Sequence, residues 1–135
     1  MTKEEATLAP VMKFINEGLN QGNGDVIAEV WDEDLLWEGG SLGTVHGLKA
    51  FMSGGVRAFS DMHLTILDVT VHGDDVWVQF TNEGTQVGEF MGYPATNKHA
   101  KWNGFGKYTV KGGKIIHGWF SEDILAMLKQ QGHIA

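Results

Sequence analysis

Apolar residues recur at helical spacing early in the chain. Leu8, Val11, Met12, Ile15 and Leu19 predict an amphipathic helix over roughly residues 6–20. Pro10 is expected in its first turn, where a missing N–H costs nothing. Gly22 and Gly24 supply a stop. Asp25 is placed as the N-cap of a second helix carrying Val26, Ile27, Val30 and Trp31. Leu35-Leu36-Trp37 reads as a short strand. A third helix is expected after Gly47, with Leu48, Phe51, Met52 and Phe59 on one face, weakened by Gly54-Gly55.

After Asp61 the period changes to two. Leu64 and Ile66 share one parity and Val69 and Val71 the other, which predicts a bulge near Leu67-Asp68. Gly73-Asp74 turns the chain. Val76, Val78 and Phe80 then alternate with Trp77, Gln79 and Thr81. A further strand covers about residues 99–110. Gly112-Gly113 makes a two-residue hairpin into a last strand at about 114–120. Ile124, Leu125, Met127 and Leu128 then form a C-terminal helix. Helices first, a four-strand antiparallel meander second and one short helix last indicate a single α+β domain over residues 1–135. A strongly bent antiparallel sheet with helices on its concave side makes a cone with a pocket at its open end.

Composition narrows the partners. The chain has 135 residues, 42% apolar and 20% charged, enough for one core without staples. It has no cysteine, hence no disulfide framework and no thiolate chemistry. The formal charge of −7 disfavours nucleic acid and an anionic membrane surface as partners. There is no apolar run near the ~18 residues of a transmembrane span. The first residues do not read as a signal peptide. A cytoplasmic location is therefore expected. No two of the six histidines stand at metal-ligand spacing on one helix or strand, and no metal or other cofactor is expected.

Chemistry is concentrated in the second half. If the strand after Phe80 runs straight, Asn82, Gly84 and Gln86 continue its inward face, the mixture of apolar lining and placed polar groups that a pocket wall needs. A bulge at Gly84 would instead turn the amides to water. Asp123 follows the last strand with the parity of His117 and Trp119. Either it is a general base at the mouth of an apolar pocket, or it is the N-cap of the last helix. Trp31, Trp37, Trp77, Trp102 and Trp119 are many for this length and suit an aromatic ligand, a core or an interface. Trp77 falls opposite Val76 and Val78, so it is expected on the outer sheet face, against a second subunit.

The stretch Gly84-Thr85-Gln86-Val87-Gly88-Glu89-Phe90-Met91-Gly92-Tyr93-Pro94-Ala95-Thr96-Asn97-Lys98, followed by Gly104, Gly113-Lys114-Ile115, Trp119, Asp123 and Gln131-Gly132, resembles the signature of the SnoaL-like polyketide cyclases. Gly47, Phe51 and Phe59-Ser60-Asp61 extend the likeness weakly into the first half. The resemblance implies the cone-shaped nuclear transport factor 2-like fold shared with ketosteroid isomerase. It also implies that Asp123 is the acid/base of a cofactor-free intramolecular aldol ring closure. Family members often carry histidine at the position of Gln86, arginine at that of Gln79, and histidine or asparagine at that of Trp37-Glu38; Tyr108 lies near a position where cyclases place a polar partner. The expectation is proton abstraction by Asp123 next to a carbonyl in a small, largely apolar polycyclic substrate. Trp37, Asn82, Gln86, Trp102, Tyr108, His117 and Trp119 would bind it, with Gln86, Tyr108 or His117 donating to the enolate oxygen. Isomerisation, dehydration and hydroxylation are neighbouring chemistries. A non-catalytic hydrophobic-ligand-binding module is the alternative, and a homo-oligomer, dimer or tetramer, is expected in either case.

Overall fold

The computed structural model describes residues 1–40, 42–53 and 58–135; Gly54-Gly55 lies outside them. Helix α1 (Lys3–Lys13) starts earlier than its apolar spacing suggests, because Thr2 caps it by accepting from the Glu5 N–H. Pro10 consequently sits in the helix interior rather than the first turn. It removes one ladder hydrogen bond there. The chain continues as a π-helical segment, Phe14–Leu19, closed by the Asn20 N–H donating to the Ile15 carbonyl at 3.0 Å. Gly18 lets this segment lie against α2 (Gly24–Val30), since a Cβ there would come within 3.0 Å of Ile27. Asn23, not Asp25, caps α2, accepting from the N–H groups of Asp25 and Val26.

Strand β1 (Trp31–Gly39) contains the expected Leu35-Leu36-Trp37 and is followed by β2 (Val45–His46) and α3 (Leu48–Ser53). Phe59, expected on the face of α3, instead opens β3 (Phe59–His72). Then come β4 (Asp75–Gln86), β5 (His99–Lys111), β6 (Lys114–Glu122) and α4 (Ile124–Gln130). β3 to β6 form the expected antiparallel meander. The sheet is larger than that meander, because β1 joins β6 in parallel and β2 extends it in the order β2-β1-β6-β5-β4-β3. It is a six-stranded mixed sheet that does not close on itself. Helix α1 packs across β3, β4, β5 and β6, so the helices cover one face. Among the described residues, no helix is long and apolar enough to cross a membrane.

Two bulges decide what that inner face carries. Ile66 stands opposite Phe80 and Asp68 opposite Gln79, so Leu67 is the extra residue and is exposed. Leu64 and Ile66 therefore share the inner face with Val69 and Val71, as their change of parity required. In β6, Thr109 stands opposite His117 while Val110 stands opposite Ile115, which leaves Ile116 extra. Ile115 is buried, and beyond the bulge the buried positions are Gly118 and Phe120, while Trp119 and Ser121 are exposed. On the outer face the register sets Trp77, Lys107 and Trp119 side by side across three strands. The Trp77 ring stacks on Phe105 at 5.3 Å and the Lys107 ammonium lies 5.5 Å from its centre.

Inside, aromatic rings rest on bare backbone. A Cβ on Gly106 would collide with the Phe120 ring, and one on Gly118 would meet the same ring at 2.6 Å; a Cβ on Gly104 would strike Phe80. Gly106→Ala is expected to destabilise the fold by about 1–3 kcal/mol through overpacking. The measurement is the urea midpoint, with an unchanged slope showing that only stability has moved.

Candidate functional site

Phe80 and Phe120, seated on those glycines, form part of the wall of a cavity of about 240 Å³ between the sheet and the N-terminal segment. Its lining is mostly apolar and aromatic, with Glu122, Asn82, Asn20 and Tyr108 as the polar groups and His63 at its side. The Trp37 ring stacks on Phe120 at 4.0 Å. At its other end the ring donates from Nε1 to the Gly39 carbonyl at 3.1 Å. The π-helical segment delivers Leu19 and Asn20 to the cavity. Asn20 is committed there, since it donates to the Leu64 carbonyl at 2.9 Å and accepts from the Leu64 N–H at 2.8 Å. Asn82 accepts from the Glu83 N–H at 3.1 Å.

The carboxylate in this cavity belongs to Glu122. The Trp102 indole, itself buried in the core, donates from Nε1 to Glu122 Oε1 at 2.8 Å. A charge-assisted bond of that length fixes the carboxylate against its wall. Tyr108 lines the same cavity and is fully buried. Burial, reinforced by the nearby Glu122 charge, pushes its phenol far above the ordinary value of 10.0. Tyr108 is thus held as a neutral hydroxyl, a donor next to an acceptor. Among the described residues no group of three or more His, Asp or Glu could hold a metal ion.

Of the expected site residues, Trp37, Asn82 and Tyr108 come together on the cavity, and Trp102 reaches it through Glu122. The others do not line it. His117 and Trp119 face outward because of the Ile116 bulge; His117 pairs with Glu38 at 2.7 Å and Trp119 is exposed. Asp123 is exposed and caps α4, accepting from the Ala126 N–H at 3.0 Å. It stands just past the end of β6, one residue after the inward-facing Glu122. Gln86 keeps the inward parity of β4 and is completely buried, yet it lies beyond the cavity. Its amide donates to the carbonyls of Gly88 and Tyr93 and accepts from His133, whose ring stacks on Tyr93. Gln86 is a latch for the loop 87–98, and that loop carries Phe90 into the cavity wall.

Glu122, Asn20 and His63 were missed by sequence reasoning. Glu122 could have been found only by placing the extra residue in β6, for which Ile115-Ile116 gives a weak signal: two consecutive apolar residues where a two-residue period allows one.

The family model for the SnoaL-like polyketide cyclases matches residues 9–131. The chain belongs to this family. A comparison with curated proteins finds no match. Solved structures show the same fold. A proposed SnoaL-like polyketide cyclase from Jannaschia sp. CCS1 superposes with a TM-score of 0.88 at 23% identity, covering 100% of this chain and 98% of that one. AclR, a proposed hydroxylase from Streptomyces galilaeus, gives 0.81 at 21%, over 98% and 89% of the two chains. An LEH-like epoxide hydrolase from M. tuberculosis gives 0.78 at 15%, over 96% and 92%. The fold of this SnoaL-like protein is the nuclear transport factor 2-like one, and its neighbours differ in chemistry while sharing that scaffold.

Asp123→Ala is expected to cost about 1 kcal/mol through loss of the α4 cap, with Asp123→Asn recovering most of it. Thermal melting of the two variants measures the difference, and neither change should alter the affinity of a ligand bound in the cavity.

Proposed function

We propose that this SnoaL-like protein abstracts a proton from a carbon next to a carbonyl, with Glu122 rather than Asp123 as the base. The observation that carries the reading is the placement of a carboxylate, fixed by the Trp102 N–H, in an apolar cavity beside a protonated Tyr108. A substrate carbonyl lying against the Tyr108 hydroxyl accepts its hydrogen bond. One Glu122 oxygen takes the proton from the neighbouring carbon, and the C–H electron pair becomes the enolate double bond. The charge that develops on the enolate oxygen is stabilised by the hydroxyl. In ring closure the enolate carbon then attacks a second carbonyl of the same molecule. The new C–C bond leaves an alkoxide, which takes back the proton from Glu122. The walls formed by Trp37, Phe80 and Phe120 hold the two ends together, which supplies the orientation such a step requires. The cytoplasm is proposed as the compartment, because a cysteine-free chain draws no stability from an oxidising one.

Exchange of ketone α-hydrogens for deuterium, followed by NMR, isolates the proton transfer from any later bond formation. Glu122→Gln keeps an acceptor for the Trp102 N–H but cannot hold the proton, so exchange should fall to the uncatalysed rate. Tyr108→Phe should slow it by about 10²–10³-fold, the range for losing one donor to a developing oxyanion. An unchanged rate in Glu122→Gln would remove it as the base.

A homodimer through the outer sheet face belongs to the same proposal. Phe105 and Trp119 are 44% and 42% exposed, and they flank Trp77 and Lys107 on a sheet face that none of the described helices covers. Exposed aromatics grouped in this way are a mark of subunit contact. Sedimentation equilibrium should give a dimer for the parent protein and a monomer for Trp77→Asp; a monomeric parent at tens of micromolar would end this part of the proposal.

A further inference from the structure

The inner face of the sheet is ordered in rungs. Asn82 stands opposite Trp102. The next rung is Phe80, Gly104 and Glu122, then Val78, Gly106 and Phe120, then Val76, Tyr108 and Gly118. Successive rungs are two residues apart, about 7 Å along a strand. Glu122 therefore stands one rung from Asn82 and, in the other direction, two rungs from Tyr108. Its carboxylate is bonded to the Trp102 indole, on the rung of Asn82. Asn82, Glu122 and Tyr108 all line the cavity. An amide on one side and a phenol on the other thus flank the carboxylate.

The two amides of the cavity differ in what they leave for a ligand. Asn20 uses its nitrogen and its oxygen on the Leu64 backbone. Asn82 uses only its oxygen, which accepts from the Glu83 N–H at 3.1 Å. A backbone N–H is met by the oxygen of an amide and never by its nitrogen, so this bond also fixes which way the group is turned. The Asn82 Nδ2 is the end left over, and among the described residues nothing accepts from it. It is a half-buried donor in a mostly apolar lining, where an acceptor brought by a ligand is worth most.

We infer that Asn82 donates from Nδ2 to a second carbonyl of the substrate, and that the substrate is a dicarbonyl compound with one oxygen at Tyr108 and the other at Asn82. This inference names the substrate class for the base and donor proposed above and rests on that reading of the site. In ring closure the carbon deprotonated by Glu122 attacks the carbonyl carbon held at Asn82. The C–C bond forms as the C=O π pair moves onto oxygen. The Asn82 N–H stabilises that alkoxide, which takes the proton from Glu122 one rung away, so no other reactant is needed.

The test pairs ortho-acetylphenylacetone, a diketone, with ortho-propylacetophenone, in which a methylene replaces the second carbonyl. Binding to the intact protein is read by stopped-flow quenching of tryptophan fluorescence, before any conversion, since Trp37 lines the cavity. The parent should bind the diketone about fivefold more tightly, the worth of one neutral hydrogen bond. Asn82→Leu should bind the two alike. Asn82→Asp keeps an oxygen for the Glu83 N–H but removes the donor, and it should lose the preference with an unchanged circular dichroism spectrum. Ring closure of the diketone, followed by the naphthol absorbance that appears after loss of water, should fall by about 10²–10³-fold in Asn82→Leu. Deuterium exchange into ortho-propylacetophenone should stay at the parent rate.

Equal binding of the two ketones by the parent, or a preference that survives in Asn82→Leu, would overturn the inference. No detectable binding of the diketone up to millimolar concentration would do the same. Equal losses of exchange and ring closure in Asn82→Leu would place the amide on the first carbonyl and overturn it as well. A diketone preference that depends on Asn82, in a protein that accelerates neither exchange nor ring closure, would uphold the substrate class and defeat Glu122 as the base.

Discussion

A strand offers each side chain one of two faces, and one extra residue inverts the choice for every position beyond it. The lining of the cavity depends on that inversion at Ile116. Ahead of the bulge Ile115 points into the core; after it Gly118, Phe120 and Glu122 do. The same shift lets Phe120 settle on Gly106 and Gly118 and stack against Trp37, so the aromatic wall and the carboxylate are placed by one local feature. The bulge at Leu67 plays the matching part in β3, keeping Leu64 and Ile66 on the same face as Val69 and Val71.

Around this register the molecule resolves a conflict between hydrophobic packing and polar function. Aromatic rings make the cavity largely apolar, and apolar surroundings disfavour a charged group. Glu122 is tolerated because a buried indole N–H meets it at 2.8 Å. Tyr108 lies in the same cavity wall, and burial keeps its proton on. A carboxyl group and a neutral hydroxyl thus share one apolar setting. The polar groups of the loop side are spent differently: Gln86 and His133 satisfy each other and the loop backbone, holding Phe90 in the wall without entering the cavity.

Much of the fold was legible in the sequence because hydrophobic period reports burial directly. The meander, the Leu67 bulge, the inward parity of Asn82 and Gln86 and the outward position of Trp77 all follow from alternation. The parallel pairing of β1 with β6 was not legible, since it joins residues some 80 positions apart with no local signal. Helix starts were misjudged at Thr2 and Asn23 because a capping side chain can precede the apolar stripe it serves. The site was half legible. Trp37, Asn82 and Tyr108 line the cavity as expected from their strands, whereas His117, Trp119 and Asp123 lie off it, because the alternation that would bring them inward is broken at Ile116. For Asp123 the sequence supported both a cap and a base, and the cap is what the geometry displays.

The adjacency of Glu122 and Asp123 has an evolutionary side. Insertions and deletions of one residue are ordinary events in a gene, and in most strands one would exchange a buried acid for whatever stood beside it. Here the neighbour is also an acid. Were one residue deleted between Ile116 and Glu122, the alternation that now ends on Glu122 would end on Asp123. The aromatic wall would have to be rebuilt, but the cavity would not lose its carboxylate. Two successive acids at the end of β6 mean that such a shift of register would still leave a carboxylate on the inner face.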